Sequence, residues 1–251
     1  MGYVLLLLAA SLAGQAKVEI DKSGDLEAAR RLLQNGRYAE AEEAYDVATA
    51  AAAKRPGGLA LELERALVLG KAESQAAQGE YDKAVKALEA LAAKDEKSPQ
   101  AAAGLAEIAF TRGDWEAADA WVAKALAVAP DDLSARWTAA RLLDARGELD
   151  QAVAACKWFV DHYNVHSDAL SKDADGLLLV GQAAERYYRA GARGEALSEA
   201  LNDVINEIYE GAYKADSNCW KAPWLEGRLF LSGYNERAAR KELAGAQQIN
   251  P

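Results

Sequence analysis

Three glycines at a fixed spacing constrain the fold of this chain more than any other feature. Gly79, Gly113 and Gly147 follow one another at intervals of 34 residues. Each is followed by an acidic residue and then by a tyrosine, a tryptophan or a leucine, and an alanine comes five residues after each glycine. A weaker copy of the pattern surrounds Gly36. A pattern that recurs in this way predicts a fold built from stacked copies of one small element.

The composition indicates that the repeated element is helical. Hydrophobic residues make up 51% of the 251 residues, with only 19 glycines and 5 prolines, so the chain is too apolar to be disordered. Alanine is abundant, whereas Val, Ile and Thr are scarce, and strand-like runs are nearly absent. We therefore predict an all-α protein.

The chain is acidic, with 29 Lys and Arg against 39 Asp and Glu and a net charge of −10. A surface of this charge repels the phosphate backbone of nucleic acids. Because no long basic stripe offsets it, we expect no nucleic-acid partner.

The best copy of the repeat runs from Pro99 to Asp132, and its special residues have physical roles. Glycine accepts the positive φ with which a first helix ends and the chain reverses. Alanine lets the two helices of a pair approach closely, and proline ends the second helix because it cannot continue one. The residues at these positions are Ala106, Gly113, Ala118, Ala125 and Pro130, with Ala84 and Ala152 in the neighbouring copies.

This helix–turn–helix pattern resembles the tetratricopeptide repeat. The resemblance covers nearly all of the chain after Lys17 and implies an all-α, right-handed α-solenoid of about six antiparallel helix pairs. The implied units span about 22–56, 57–98, 99–132, 133–166, 177–216 and 220–251. In the fifth unit, Gly191 is the implied turn glycine and Ala196 the small residue of the second helix. In the sixth unit, the small and terminating positions fall on Gly227, Ala239 and Pro251, and Tyr234 replaces the turn glycine.

The two ends of the chain suggest processing and truncation. Val4 to Ala13 form an apolar run too short to span a bilayer, and small residues precede the polar sequence from Lys17, which predicts a cleavable signal peptide over residues 1–16. We expect export to the periplasm or beyond, without a stable membrane anchor after cleavage. An uncleaved anchor, or a first buried helix in a cytoplasmic protein, stays open. Because no polar capping helix follows Pro251, we expect an N-terminal part of a longer protein, unless the last unit tolerates exposure.

Few residues suggest chemistry. His162 and His166 are four residues apart, but Tyr163 stands where an HExxH zinc protease has glutamate, so we interpret both histidines as structural or surface residues. Cys156 and Cys219 fall in units that are not neighbours, so we expect no disulfide between them. No phosphate-binding loop or serine-nucleophile motif occurs. We predict no catalytic residue, no metal and no cofactor.

In the tetratricopeptide family the first helix of each pair lines a concave groove, and the resemblance places a set of residues there. Its C-terminal part combines aromatic and arginine side chains, which are frequent anchors of protein interfaces and favour an acidic partner segment. Alternatively, the tryptophans pack between repeats and the arginines pair with neighbouring acids. The implied groove residues are Gln100, Glu107, Phe110, Trp137, Arg141, Asp144, Glu185, Tyr188, Arg189, Lys221, Trp224 and Arg228.

We therefore expect a non-catalytic scaffold that binds a protein or peptide partner through this groove. The alternative is the N-terminal interaction module of a larger secreted enzyme. The segments WFVDHYN and WKAPWLEGRLFL look similar to repeat regions that precede metallopeptidase-like domains in some exported bacterial proteins. A cytosolic assembly adaptor is a third hypothesis, and it requires the N-terminal run to be a buried helix.

Overall fold

The computed structural model describes residues 24–54, 59–233 and 235–251 of the chain. The expected signal peptide, the start of the mature chain at Lys17 and Tyr234 lie outside the described residues. Within the described residues all regular structure is helical, which confirms the prediction of an all-α, solenoid-type fold. None of the described helices is both long enough and apolar enough to cross a membrane.

The helices follow one another along the chain and pack as consecutive pairs. The first three pairs are α1 (Gly24–Gln34) with α2 (Tyr38–Ala53), α3 (Leu61–Ala77) with α4 (Tyr81–Lys94), and α5 (Pro99–Thr111) with α6 (Trp115–Val128). Helices α7 (Leu133–Ala145) and α8 (Leu149–Leu170) follow along the chain. Next come α9 (Ala174–Gly191), α10 (Gly194–Asp203), a π-helical segment (Val204–Tyr209), α11 (Glu210–Ala215), α12 (Lys221–Ser232) and α13 (Glu236–Ile249).

The described chain forms two compact units, the first ending at Leu142 and the second running from Leu143 to Pro251. In the first unit, Tyr45 and Leu67 belong to a buried cluster of α1 to α3, and Leu88 belongs to the next cluster, of α3 to α5. In the second unit, α9 packs on α8, on the π-helical segment and on α11, and α12 packs on α13.

The three glycines of the 34-residue spacing have φ of 80°, 79° and 78°, and Gly36 has φ of 72°. At Gly113 the backbone N–H donates to the carbonyl of Phe110 (3.0 Å), and the N–H of Asp114 donates to the carbonyl of Ala109 (2.9 Å). These two bonds satisfy the last carbonyls of α5 in a Schellman turn. The Asp114 carboxylate then accepts from the N–H of Ala117 (3.1 Å) and caps α6. One short segment thus ends a helix and starts the next.

Small residues allow close helix approach at the positions that the repeat pattern marks. Ala84, Ala106, Ala118, Ala125, Ala152 and Ala239 are fully buried. At Gly227 on α12, an added Cβ would lie 2.6 Å from Cγ of Leu243 on α13. A larger residue at such positions would push the helices apart.

The turn of the fifth pair differs from the sequence prediction. Gly191 is the last residue of α9, and the glycine with positive φ is Gly194 (57°). Ala192 and Arg193 between them are extended, so the turn is longer than the Schellman turns of the first unit. The register of the second helix shifts accordingly, and Ala196, predicted to be the small packing residue, is exposed. Both assignments were therefore wrong.

The residues inserted between the fourth and fifth repeats lengthen a helix. The predicted fourth unit ends at 166 and the predicted fifth begins at 177, but α8 continues to Leu170 and α9 begins at Ala174. The extension contains one non-helical residue, His166, with φ −122° and ψ 18°. The insertion thus forms a kinked extension of α8, not a loop.

Each unit contains a buried tyrosine packed on a glycine. A Cβ added to Gly70 would lie 2.2 Å from Cζ of Tyr45, and one added to Gly181 would lie 2.2 Å from Cε1 of Tyr209. Tyr45 belongs to the α-helix α2, whereas Tyr209 ends the π-helical segment. In both units, only glycine leaves space for the ring.

Candidate functional site

The predicted groove residues of α5 and α7 form an internal ion pair. The carboxylate of Glu107, whose residue is 4% exposed, accepts from Nη1 of Arg141 at 2.7 and 2.6 Å and from Oγ1 of Thr138 at 3.2 Å. The guanidinium of Arg141 lies 4.0 Å from the ring centroid of Phe110, and its side chain is 19% exposed. Arg141 therefore links α7 to α5, and most of its side chain is shielded from solvent.

Other predicted groove residues are also engaged. Gln100 is half-buried and accepts a hydrogen bond from the hydroxyl of Ser98, and Trp137 is half-buried on α7. In the second unit, Asp144 accepts two hydrogen bonds from Arg186, at 2.9 and 2.6 Å. These contacts agree with the alternative interpretation, in which the acids and arginines of the groove pair between neighbouring repeats.

The predicted residues of the second unit lie mainly on two helices, α9 and α12. At helical spacing, residues three, four, seven and eight apart share a face, so one stripe follows each helix. We refer to these two stripes as the α9/α12 face, which consists of Glu185, Arg189, Lys221, Trp224, Arg228, Leu231 and Ser232.

Arg189 joins the two stripes. Its Nε donates to Oε1 of Glu185 at 2.9 Å, and its Nη2 donates across to Oγ of Ser232 at 2.8 Å. The Arg189 side chain is 37% exposed, so part of the guanidinium remains open to solvent. This arginine both holds α12 against α9 and contributes positive charge to the face.

Arg228 is the most accessible cation of the face. Its guanidinium lies 5.0 Å from the ring centroid of Trp224, and the residue is exposed. Among the described residues it makes neither an ion pair nor a hydrogen bond. Leu231, 50% exposed, lies two turns along the same stripe as Trp224. The face thus presents a cation next to apolar surface.

Tyr209 lies near the charged residues of this face. Burial raises the pKa of its phenol well above the ordinary value, and among the nearby charges Glu185 and Glu226 raise it further whereas Arg228 and Arg189 lower it. Its hydroxyl is buried without a hydrogen-bond partner among the described residues.

Tyr188 belongs to a different surface. Burial raises the pKa of its phenol, followed by smaller effects of Tyr187, Asp203 and Glu207. The two acids lie on α10 and on the π-helical segment. We therefore leave Tyr188 out of the α9/α12 face, although the repeat register predicted it there.

The two cysteines form no disulfide in the part of the chain that the structure describes. Cys156 and Cys219 are free and buried, and burial raises the pKa of their thiols to about 11 and about 12. In the part of the chain that the structure describes, no three His, Cys, Asp or Glu side chains form a group that could hold a metal ion.

Residues 75–134 match the tetratricopeptide repeat family. This segment is therefore similar to a tetratricopeptide repeat array. The match extends from the end of α3 to the start of α7 and includes the Schellman turns at Gly79 and Gly113. The tetratricopeptide fold is typical of scaffolds that bind proteins or peptides.

One solved structure shows a helical fold similar to that of this chain. A monomeric mutant of IFIT1 with m7Gppp-AAAA matches 90% of this chain with 15% identity and a TM-score of 0.56, and this chain spans half (50%) of it. A tetratricopeptide repeat protein from Parabacteroides merdae matches 91% of this chain and 93% of its own with 16% identity and a TM-score of 0.43. YrrB, a tetratricopeptide protein with an unusual peptide-binding site, matches 74% and 86% of the two chains with 14% identity and a TM-score of 0.37. No curated protein sequence matches the chain.

Sequence reasoning missed two members of the α9/α12 face, Leu231 and Ser232. The repeat register stops at the first three turns of the helix, but the stripe continues for another turn. Extending the spacing of Trp224 and Arg228 by three and four residues reaches both positions. The helical period, continued beyond the positions of the family pattern, could therefore have predicted both residues.

Proposed function

We propose that the chain is a non-catalytic tetratricopeptide-repeat scaffold whose α9/α12 face binds an acidic, partly apolar segment of a partner protein. The observation that carries the proposal is Arg228, an exposed cation without an ion pair beside Trp224. Exposed arginine next to an aromatic ring is a typical anchor of protein interfaces.

The charge of the face supports a carboxylate-bearing partner. Arg189 and Arg228 contribute two cations, against the single carboxylate of Glu185. In a chain with a net charge of −10, this local excess of positive charge is unusual. Arginine binds carboxylates through two parallel hydrogen bonds, so an Asp or Glu side chain of the partner is the group that fits Arg228.

The apolar members of the face complement the charge. Leu231 and Trp224 lie on one stripe of α12, with Arg228 between them along the helix. A partner segment that combines an acidic residue with a leucine or an aromatic residue would cover all three side chains. Such a mixture of apolar core and polar rim is the usual composition of a protein interface.

The face formed by α5 and α7 is a weaker candidate because its arginine is already used. Arg141 is paired to Glu107 and is 19% exposed, so a ligand would have to break that pair. Capped RNA, which is present in the IFIT1 structure, is not the partner that we propose, because the net charge of −10 opposes phosphate binding.

The test is a selection of peptides from a random library on the purified protein, followed by binding measurements with the enriched sequences. We expect enrichment of peptides with Asp or Glu near an apolar residue. Arg228→Ala should weaken their binding about tenfold, a loss of about 1.4 kcal/mol. The far-ultraviolet circular dichroism should stay unchanged, because Arg228 is exposed.

The matched control is Arg240→Ala on α13. Arg240 lies in the same unit, and its side chain is 83% exposed, so its replacement removes the same charge from a helix that does not contribute to the proposed face. Equal weakening by both variants would mean that only net charge matters and would contradict the proposal. Selection of peptides without acidic residues would contradict it as well.

A further inference from the structure

Helix α8 carries three neighbouring aromatic rings that the proposed function does not use. Trp158, His162 and His166 lie four residues apart, so they share one face of the helix. The ring centroids of Trp158 and His162 are 4.6 Å apart with an interplanar angle of 23°, and those of His162 and His166 are 4.5 Å apart with an angle of 42°. His166 is exposed and His162 is half-buried, so the outer end of the stack is accessible.

The two imidazoles have the spacing of a chelating pair. Zinc–nitrogen bonds are about 2.0–2.1 Å long, so one ion can bridge two ring nitrogens that are up to about 4 Å apart. The centroid separation of 4.5 Å between the two rings is close to this range. Two histidines at this spacing on one helix also provide two of the ligands in HExxH zinc sites.

We propose that His162 and His166 chelate one divalent transition-metal ion of the zinc and copper class. Imidazole nitrogen suits these ions and does not suit Mg²⁺, which takes oxygen ligands. Each ring needs only one of its two nitrogens for the ion, and the other can donate its N–H elsewhere, as metal-bound histidines commonly do. The protein supplies two ligands, and water or a partner's side chain completes the coordination.

The neighbouring carboxylate is not a ligand in this arrangement. Asp161 accepts two hydrogen bonds from Nζ of Lys157, at 2.7 and 2.6 Å. This pairing explains why the sequence contains Asp161 next to His162 without forming a three-ligand site. It also predicts moderate affinity, because two ligands bind an ion less tightly than three or four.

The position of the pair suggests what the ion does. His166 is the non-helical residue of α8, and His162 lies one turn before it. An ion held by both rings would connect the backbone on the two sides of the kink. Binding should therefore stabilise the end of α8, since a ligand that binds only the folded state raises its stability.

The experiment is a titration of the full chain with Cu²⁺, the strongest binder among these divalent ions. We expect one ion of moderate affinity per chain by calorimetry, with quenching of tryptophan fluorescence because Trp158 is stacked on His162. His162→Gln and His166→Gln should each weaken binding at least about tenfold. Trp158→Phe should keep the affinity and reduce the quenching. Mg²⁺ should produce neither heat nor quenching.

Asn164→Gln is the matched control, because Asn164 is exposed in the same turn and faces away from the stack. It should bind Cu²⁺ as the unchanged protein does. If a histidine variant lost helicity, protection of the two histidines of the unchanged protein from diethylpyrocarbonate by Zn²⁺ would provide the test. Failure of the unchanged protein to bind Cu²⁺, equal affinity in the double glutamine variant, or no protection by Zn²⁺ would overturn the proposal.

Discussion

The two compact units use the same packing element in different backbone settings. In the first unit, Tyr45 comes from an ordinary α-helix and its ring covers Gly70. In the second unit, Tyr209 comes from a π-helical segment and covers Gly181, and its hydroxyl is buried without a partner among the described residues. The π-helical segment buries four of its residues, Val204, Ile205, Ile208 and Tyr209, whereas the preceding helix α10 has no buried residue. Regular spacing is therefore not needed for tight packing.

The units also differ in how they use arginine. In the first unit, Arg141 is mostly buried against Glu107 and serves the fold. In the second unit, Arg189 is partly exposed and Arg228 is exposed beside Trp224, so charge is left for a ligand. A departure from the regular repeat thus coincides with the surface that we propose for binding, which agrees with the tendency of functional sites to break local rules.

Substituting alanine at the two glycines should have the largest effect on stability. Gly181→Ala should lower the free energy of unfolding by about 3 kcal/mol or more, because the added Cβ meets the middle of a fully buried ring. Gly70→Ala should cost less, since its Cβ meets the far end of Tyr45, which can shift more easily. Urea denaturation measures both, and hydrogen exchange shows which helices lose protection.

Gly245→Ala on α13 is the control for these substitutions. Nothing lies within 4 Å of an added Cβ at Gly245, so alanine should stabilise the protein by up to about 1 kcal/mol through its higher helix propensity. If Gly181→Ala were as stable as the unchanged protein, the close packing of Tyr209 on α9 would be wrong.

The second comparison replaces one arginine from each unit. Arg141→Ala should lower the free energy of unfolding by about 3 kcal/mol, because it leaves the buried carboxylate of Glu107 without its cation. Arg189→Ala should cost less than about 1 kcal/mol, because its pair with Glu185 is partly exposed to solvent. Chemical denaturation of both variants provides the measurement, and equal losses would show that the two arginines have the same role.

In the second unit, the stability of the protein should depend on pH through the buried carboxyl of Glu226. Burial, followed by repulsion from Glu242 and Glu210, raises the pKa of Glu226 from 4.5 to about 7, against a smaller opposing effect of Lys241. Because the folded-state pKa exceeds the unfolded value, ionisation opposes folding. The folded state should lose stability as the pH rises from about 4.5 to about 7, by up to about 3 kcal/mol, and the loss should be complete above that range.

Glu226→Gln should remove this dependence. The variant should match the unchanged protein at pH 4.5 and exceed it by up to about 3 kcal/mol at pH 8, as measured by thermal or urea unfolding. Glu236→Gln is the control, because its side chain is 76% exposed on the same pair of helices. Equal pH profiles for the unchanged protein and the Glu226 variant would contradict the assigned ionisation.

The regular part of the fold was predictable because one local pattern fixes each turn. Gly113 and Asp114 are adjacent in sequence, and together they end α5 and cap α6. The spacing of such glycine–acid pairs along the chain therefore predicts the architecture. The helical extension of α8 was not predictable in this way. Its residues lack a turn glycine or a proline, and whether such a segment continues a helix or forms a loop depends on packing that no local pattern specifies.

The candidate site was predictable only in part. The repeat register located Trp224 and Arg228, but it could not distinguish a paired arginine from an accessible one. Arg141 and Arg228 occupy similar places in their helices, and the preceding repeat has a glutamate in each case, Glu107 and Glu185. Glu107 pairs with Arg141, whereas Glu185 pairs with Arg189 and leaves Arg228 accessible. That pairing depends on how two helices are placed and on the geometry of their side chains. The spacing of residues in the sequence determines neither.

The smallest expected effect tests the corrected turn between α9 and α10. Gly194→Ala should cost about 1 kcal/mol, because φ of 57° is unfavourable for a residue with a Cβ. Gly191→Ala should be neutral or slightly stabilising, since Gly191 ends α9 with open space around its Cβ position. Gly147→Ala, at φ of 78°, gives the reference cost for a regular turn of the repeat. If Gly191→Ala carried the cost and Gly194→Ala did not, the fifth pair would turn where the repeat register placed it, and the second unit would be more regular than its longer turn indicates.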